Sequence, residues 1–261
     1  MPTVPLTSQE DWEKGYRGRR SGFQDRHDRV EPVIRKRLVY TQLDKIFRLF
    51  LPSEPGRRYL EFGCGNSFWL PYFQIRFGYE VEGVDYSSHG CRLAEDRLRK
   101  FSASGRVFEK DFLALGGQFD ARYDVCGSFG VVEHFESPGE LVGRFSACLK
   151  PGGFLITMVP HLKGFQGAVQ RILGRSIHRK HRPMTLKELE SFHRDCGLAI
   201  RYAGGIGLTT LGWNFGPGLL GRGYGVYNGF LDRVAAKVER ACHRAVPTLF
   251  GSGLVVIAQR A

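Results

Sequence analysis

Cysteine pairs are missing from this 261-residue sequence. Its six cysteines (Cys64, Cys91, Cys126, Cys148, Cys196 and Cys242) are scattered with no CxxC spacing. That excludes zinc knuckles and a disulfide framework, and it fits the reducing cytoplasm. A secretory leader is lacking too: "MPTVPLTSQEDWEK" has no basic segment followed by an apolar one. No run is long and apolar enough to cross a membrane. The longest uncharged stretch, Tyr202 to Gly221, has seven glycines in twenty residues and also holds Asn214 and Pro217. No fixed-period repeat is visible. Acidic residues are few, 26 against 38 Lys and Arg, and the net charge of +12 favours anionic partners. From His161 to Pro183 there is no acidic residue at all, against six Lys or Arg and three His, including His178 and His181. That basic segment reads either as a solvated face or as a contact for an anionic partner.

What is present is a strand–helix alternation. Residues 24–50 carry Val30, Val33, Ile34, Leu38, Leu43, Ile46, Phe47 and Phe50 at mostly three- and four-residue steps, which predicts a helix ended by Pro52 and Pro55. Short apolar runs follow at 57–63, 79–85, 105–111, 123–130, 152–160, 198–205 and 253–259. Helical stretches such as "SSHGCRLAEDRLRKF" and "SPGELVGRFSACLK" lie between the first five. Thr185 with Glu188 three residues on is a capping box, and Gly197 can close that helix. Strands alternating with helices mean a mostly parallel α/β sheet covered on both faces.

The turn after the first run, "YLEFGCGNSFW", sits where such sheets hold a nucleotide. A dinucleotide turn needs GxGxxG, but Phe68 stands at the third glycine, and no GxxxxGK[ST] occurs. Glu61, at the end of its strand, suits a cationic amine better than a pyrophosphate. Asp85 ends the second strand, where a carboxylate bridges ribose hydroxyls, and Asp111 with Phe112 ends the third, where an adenine amine and edge would lie. Ribose, adenine and an amino-acid end without phosphate describe S-adenosylmethionine.

These segments resemble the class I S-adenosylmethionine-dependent methyltransferases of the small "type 11" kind. "LEFGCGNS" resembles that family's first motif and "VEGVDYS" its second. "KDF", "YDVCGSFGVVEHF" and "LKPGGFLI" resemble the later ones, in order, across residues 59–156. The resemblance implies a Rossmann-like, seven-stranded, mostly parallel sheet with an antiparallel last strand and helices on both faces. It implies a helical cap at 1–56 and a cofactor domain at 57–261, with the basic segment 161–183 and an insert at 205–250 as acceptor-site elements. Glu61, Gly63, Cys64 and Gly65 would meet the methionine end. Asp85 would take the ribose and Tyr86 the adenine face. Asp111 and Phe112 would hold the adenine amine and ring, and Ser128, Phe129 and Gly130 would line the strand tip near the sulfonium. The departure is in the first motif, where the family often has a third small residue but Ser67 is here followed by Phe68 and Trp69.

A sulfonium is already electrophilic, so placing a nucleophile in line with its methyl group supplies most of the catalysis. His161, after the fifth strand, and His134 are the candidate catalytic residues, since neutral imidazole takes a proton near pH 7. No [ND]PP[YF], Pro-Cys dipeptide or cysteine triplet is present, which argues against DNA-base and radical chemistries. The expected acceptor is therefore an O, N or C nucleophile on a small, anionic or lipid-linked biosynthetic intermediate. RNA is the alternative, and it is less favoured because only Phe165 interleaves the basic residues of 161–183. A non-enzymatic cofactor-binding module is a third reading, against which Glu61, Asp85 and Asp111 argue. Residues 211–246 pair a Gly/aromatic stretch with a basic amphipathic helix. They read as a cap on the acceptor pocket or as a peripheral membrane contact.

Overall fold

Among the described residues, seven strands form one sheet. The computed structural model describes residues 3–17, 28–164, 180–207 and 251–261. The strands are β1 (Arg58–Phe62), β2 (Glu80–Asp85), β3 (Gly105–Glu109), β4 (Tyr123–Phe129), β5 (Leu149–Pro160), β6 (Leu198–Ile206) and β7 (Gly253–Arg260). Each coincides with one of the seven apolar runs. The spatial order is β3-β2-β1-β4-β5-β7-β6. Strands β1 to β5 pair in parallel, and β7 runs antiparallel between β5 and β6.

The side-chain period of two assigns alternate residues to opposite layers. Tyr59, Val81, Val125, Ile156 and Ile257 face one core, shared with α2 (Val30–Lys36), α3 (Leu38–Phe50), α4 (Trp69–Phe77) and α5 (Ser88–Lys100). Leu60, Phe62, Val84, Cys126, Leu155 and Val256 face the other, shared with α6 (Pro138–Ala147) and α7 (Leu186–Asp195). Each fully buried Val, Leu, Ile or Phe contributes about 1.5–3 kcal/mol to holding those layers. The helices expected near the N-terminus thus complete the core of the sheet domain itself.

The helix expected over 24–50 is two helices. Pro32 occupies the first turn of α2, the one place in a helix where its missing N–H costs nothing, so α2 starts at Val30. Arg37 is extended (φ −124°, ψ 128°), and the Ile34 carbonyl accepts both the Arg37 N–H and, at 2.9 Å, the Thr41 hydroxyl. The capping box of α7 forms as expected, with Gly197 just beyond it at φ +75°. A further helix, α1 (Gln9–Tyr16), lies at the start of the chain behind a Ser8–Asp11 capping box. His178, most of the basic segment and the 211–246 element lie outside the described residues.

The order reverses between β1 and β4. Their C-terminal ends, with that of β2, border the crevice in which such sheets bind ligands.

Candidate cofactor and acceptor site

A cavity of about 260 Å³ opens at this reversal. Its floor is the turn after β1. Gly63 takes φ +68°, and a Cβ there would come within 2.6 Å of Val131 Cγ2. At Gly65 a Cβ would stand 2.7 Å from both Asp85 Oδ2 and the Tyr16 hydroxyl, so only glycine admits that approach.

Two carboxylates give the cavity its character. Glu61, 1 % exposed, lines it with an Oε2 that has no hydrogen-bond partner. Burial pushes its pKa up to about 8, against the opposing pull of the Ser67 and Tyr59 hydroxyls. Buried carboxylates normally find a partner, and this one is positioned for a cation. Asp85 accepts the N–H of Gly65 and of Ser87, each at 2.8 Å. Burial raises its pKa to about 6, those N–H groups opposing the shift. Each of its oxygens keeps a further lone pair for a ligand hydroxyl.

Aromatic side chains make most of the remaining wall. Tyr86 and Phe112 line it with ring centroids 6.4 Å apart. Trp69 stacks on Phe129 at 4.9 Å and meets Tyr40 edge-on at 5.1 Å. From α1, Trp12 and Tyr16 close one side: Trp12 sits edge-on to His134 at 4.9 Å, and the Tyr16 hydroxyl donates to the Gly65 carbonyl.

The family described as "Methyltransferase domain" matches residues 34–203. The chain belongs to that methyltransferase family. It is 29 % identical over 168 residues to a ubiquinone biosynthesis O-methyltransferase of Burkholderia orbicola, covering 61 % of this chain and 72 % of that one. The corresponding protein of Leptothrix cholodnii is 30 % identical over 166 residues, covering 60 % and 70 %. Among solved structures, a SAM-dependent methyltransferase from Archaeoglobus fulgidus superposes with a TM-score of 0.55 at 18 % identity, over 84 % of this chain and 94 % of that one. A Haloferax volcanii chain solved with the Trm112 methyltransferase activator gives 0.60 at 19 % identity, over 97 % of each. The enzyme is thus a class I S-adenosylmethionine-dependent methyltransferase, and S-adenosylmethionine is its cofactor.

The methyltransferase's cavity fits that cofactor: the orphaned Glu61 oxygen suits an ammonium, Asp85 suits ribose hydroxyls, and Tyr86 and Phe112 suit a flat base. Of the residues expected from sequence, Glu61, Gly63, Gly65, Asp85, Tyr86, Phe112, Phe129, Gly130 and His134 line the cavity. Cys64, Asp111, Ser128 and His161 are not in its wall. Cys64 is fully buried, and a Cβ on Gly83 would come within 2.6 Å of its sulfur. The exposed Asp111 caps a short 3-10 turn through the Leu113 N–H at 2.8 Å. Ser128 is buried in β4 with an unpartnered hydroxyl. His161, just past β5, is 8 % exposed and packs beside Gly164. Trp12, Tyr16, Tyr40 and Trp69 were not foreseen as cavity residues. For α1 the sequence does carry a signal: a Ser8–Asp11 capping pair followed by aromatics four residues apart.

Proposed function

We propose that the enzyme methylates an oxygen atom of a small acceptor whose reacting part is planar and largely apolar. The observation that carries this is the aromatic wall left once the cofactor contacts are set aside, formed by Tyr40, Phe68, Trp69, Phe129 and Phe135. Aromatic faces hold a flat group with little loss of side-chain entropy. Oxygen as the acceptor atom is supported by the O-methyltransferase relatives from Burkholderia and Leptothrix.

Bound S-adenosylmethionine supplies an electrophilic methyl group. The chain's part is to hold a nucleophile in line with it and to exclude water, which is worth about 7–11 kcal/mol when the geometry is right. Glu61 and Asp85 anchor the two ends of the cofactor's ribose–amino-acid portion, and the aromatic wall fixes the acceptor's plane. The described wall contains no Lys or Arg. An anionic or lipid-linked portion of the acceptor would therefore extend past it, toward Lys180 and Arg182, whose backbones bond His134 and Glu133. For RNA, the runner-up, no described residue at the cavity adds support.

A methyl-transfer screen with labelled cofactor over pools of phenols, alcohols, carboxylates, amines and RNA tests the reading. Label in a methoxy product of a small aromatic or polyunsaturated acceptor is expected. Label recovered in RNA or in an N-methyl product overturns it.

A further inference from the structure

Beside the acceptor wall, Glu133, His134 and His181 bring one carboxylate and two imidazoles together. One donor atom from each lies within 4.8 Å of the others. Glu133 is 2 % exposed, and its Oε2 has no hydrogen-bond partner. Its Oε1 stands 3.9 Å from His134 Nε2. A wholly buried carboxyl with an orphaned oxygen is costly unless something cationic shares the space.

The imidazole beside it is oriented as a ligand would be. His134 Nδ1 lies 2.9 Å from the Lys180 carbonyl oxygen. A carbonyl only accepts, so Nδ1 carries the proton and Nε2, on the Glu133 side, keeps its lone pair. The Thr7 hydroxyl sits 2.9 Å from the same Nδ1 and steadies the ring. Metal-bound histidines are held in this way, their second N–H donated to a backbone carbonyl. The His181 ring, only partly buried, lies 4.3 Å from that of His134 at 48°.

We propose that Glu133, His134 and His181 form a binding site for a divalent transition-metal ion at the edge of the acceptor cavity. Two imidazoles and a carboxylate suit Zn²⁺ or its neighbours rather than Mg²⁺ or Ca²⁺, which prefer all-oxygen shells. Such an ion requires its donors at about 2.0–2.2 Å, so the three groups, within 4.8 Å of one another, draw in around it, the partly exposed His181 ring being the least confined of them. Three protein ligands leave coordination positions open, as in catalytic rather than structural sites. His134 belongs both to this cluster and to the cavity wall, so an open position can receive an acceptor oxygen. Only that last step rests on the acceptor being an oxygen nucleophile; ion binding does not.

The full chain, stripped with chelator, is titrated with Zn²⁺ by calorimetry and with Co²⁺ as a spectroscopic probe. One ion per chain is expected, with the visible absorption of Co²⁺ held by imidazole. Glu133→Gln and His181→Ala should each weaken binding by at least about tenfold, a ligand counting for no less than an outer partner. His89→Ala, an imidazole outside the cluster, should leave it unchanged. His181 is partly exposed, so His181→Ala retains the fold, and circular dichroism checks this. No stoichiometric ion, or undiminished binding in folded His181→Ala, overturns the proposal whatever the acceptor proves to be.

Discussion

Asp85 Oδ2 accepts the backbone N–H of Gly65 at 2.8 Å, so the tip of β2 is fastened directly to the turn that follows β1. Oδ1 of the same carboxylate takes the Ser87 N–H at the start of α5. One side chain thereby sets the floor of the cavity, the entry of a helix and a ligand contact. The close approach explains why position 65 holds glycine, since a Cβ would meet that same oxygen at 2.7 Å.

Asp85→Ala is accordingly expected to weaken S-adenosylmethionine binding by about 1.5–3 kcal/mol, the range for hydrogen bonds to a charged group. Gly65→Ala should weaken it too, by pushing the carboxylate out of position. Calorimetric titration of each folded variant measures both effects. Wild-type affinity in Asp85→Ala would remove the ribose role.

Glu61 ties stability to pH. Its folded pKa, about 8, stands above the ordinary 4.5, so between those values the folded chain binds more protons than the unfolded one. Stability of the cofactor-free protein must then fall as pH rises through that window. Glu133, pushed by burial to about 8, and Asp85, to about 6, add to the same slope. Glu61→Gln carries no charge to bury, so its melting temperature should fall less than that of the wild type between about pH 5 and pH 8. Saturating cofactor should restore the wild type at the upper pH and stabilise the variant less, because the amide offers the ammonium no charge while the Asp85 contact remains. Parallel melting curves for the two proteins would contradict this account of Glu61.

All seven strands were legible because each is a short apolar run bounded by turn residues, and the buried order then follows from the helical crossovers. The boundary inside residues 24–50 was not, for a physical reason: Val30, Val33 and Ile34 continue in nearly the same period as Leu38, Leu43 and Ile46. What separates the two helices is the backbone of Arg37, a residue with good helix propensity. In the site, Glu61 and Asp85 were readable because a charged residue ending an apolar strand is conspicuous. Trp12, Tyr40 and Trp69 were not, since aromatics in amphipathic helices look alike whether they face a core or a cavity.

His161 shows the opposite limit. Its place after β5 made it a candidate proton acceptor, yet the ring packs against Gly164, outside the cavity wall. Its backbone N–H donates to the Ser252 carbonyl at 3.0 Å, joining the end of β5 to the start of β7. His161→Ala should lower the melting temperature and change kcat by less than about threefold, where loss of a general base costs about 10²–10⁴-fold. Steady-state rates at saturating acceptor decide it. A hundredfold fall in kcat with unchanged cofactor affinity would return His161 to the chemistry.

The last expectation concerns α1. This helix is held by contacts that cross the cavity mouth. Gln9 donates from Nε2 to the Tyr86 carbonyl at 2.7 Å, Tyr16 donates to the Gly65 carbonyl, and Lys180 pairs with Asp11 at 2.7 Å. Two of these bonds end on the backbone of residues that line the cofactor end, and Trp12 and Tyr16 both face the cavity. Opening α1 exposes the cofactor, so contacts that close it should appear as cofactor affinity. Tyr16→Phe removes one hydrogen bond, and binding should weaken by about 0.5–1.5 kcal/mol. Trp12→Ala removes the edge contact with His134 as well as cavity wall, and its effect should be the larger of the two. The sheet core does not include Trp12, so the melting temperature without cofactor should change little while the stabilisation on adding cofactor shrinks. Thermal melts with and without S-adenosylmethionine separate the cases. A large loss of stability without cofactor would make α1 part of the core, and unchanged cofactor stabilisation in both variants would show that it does not close over the site.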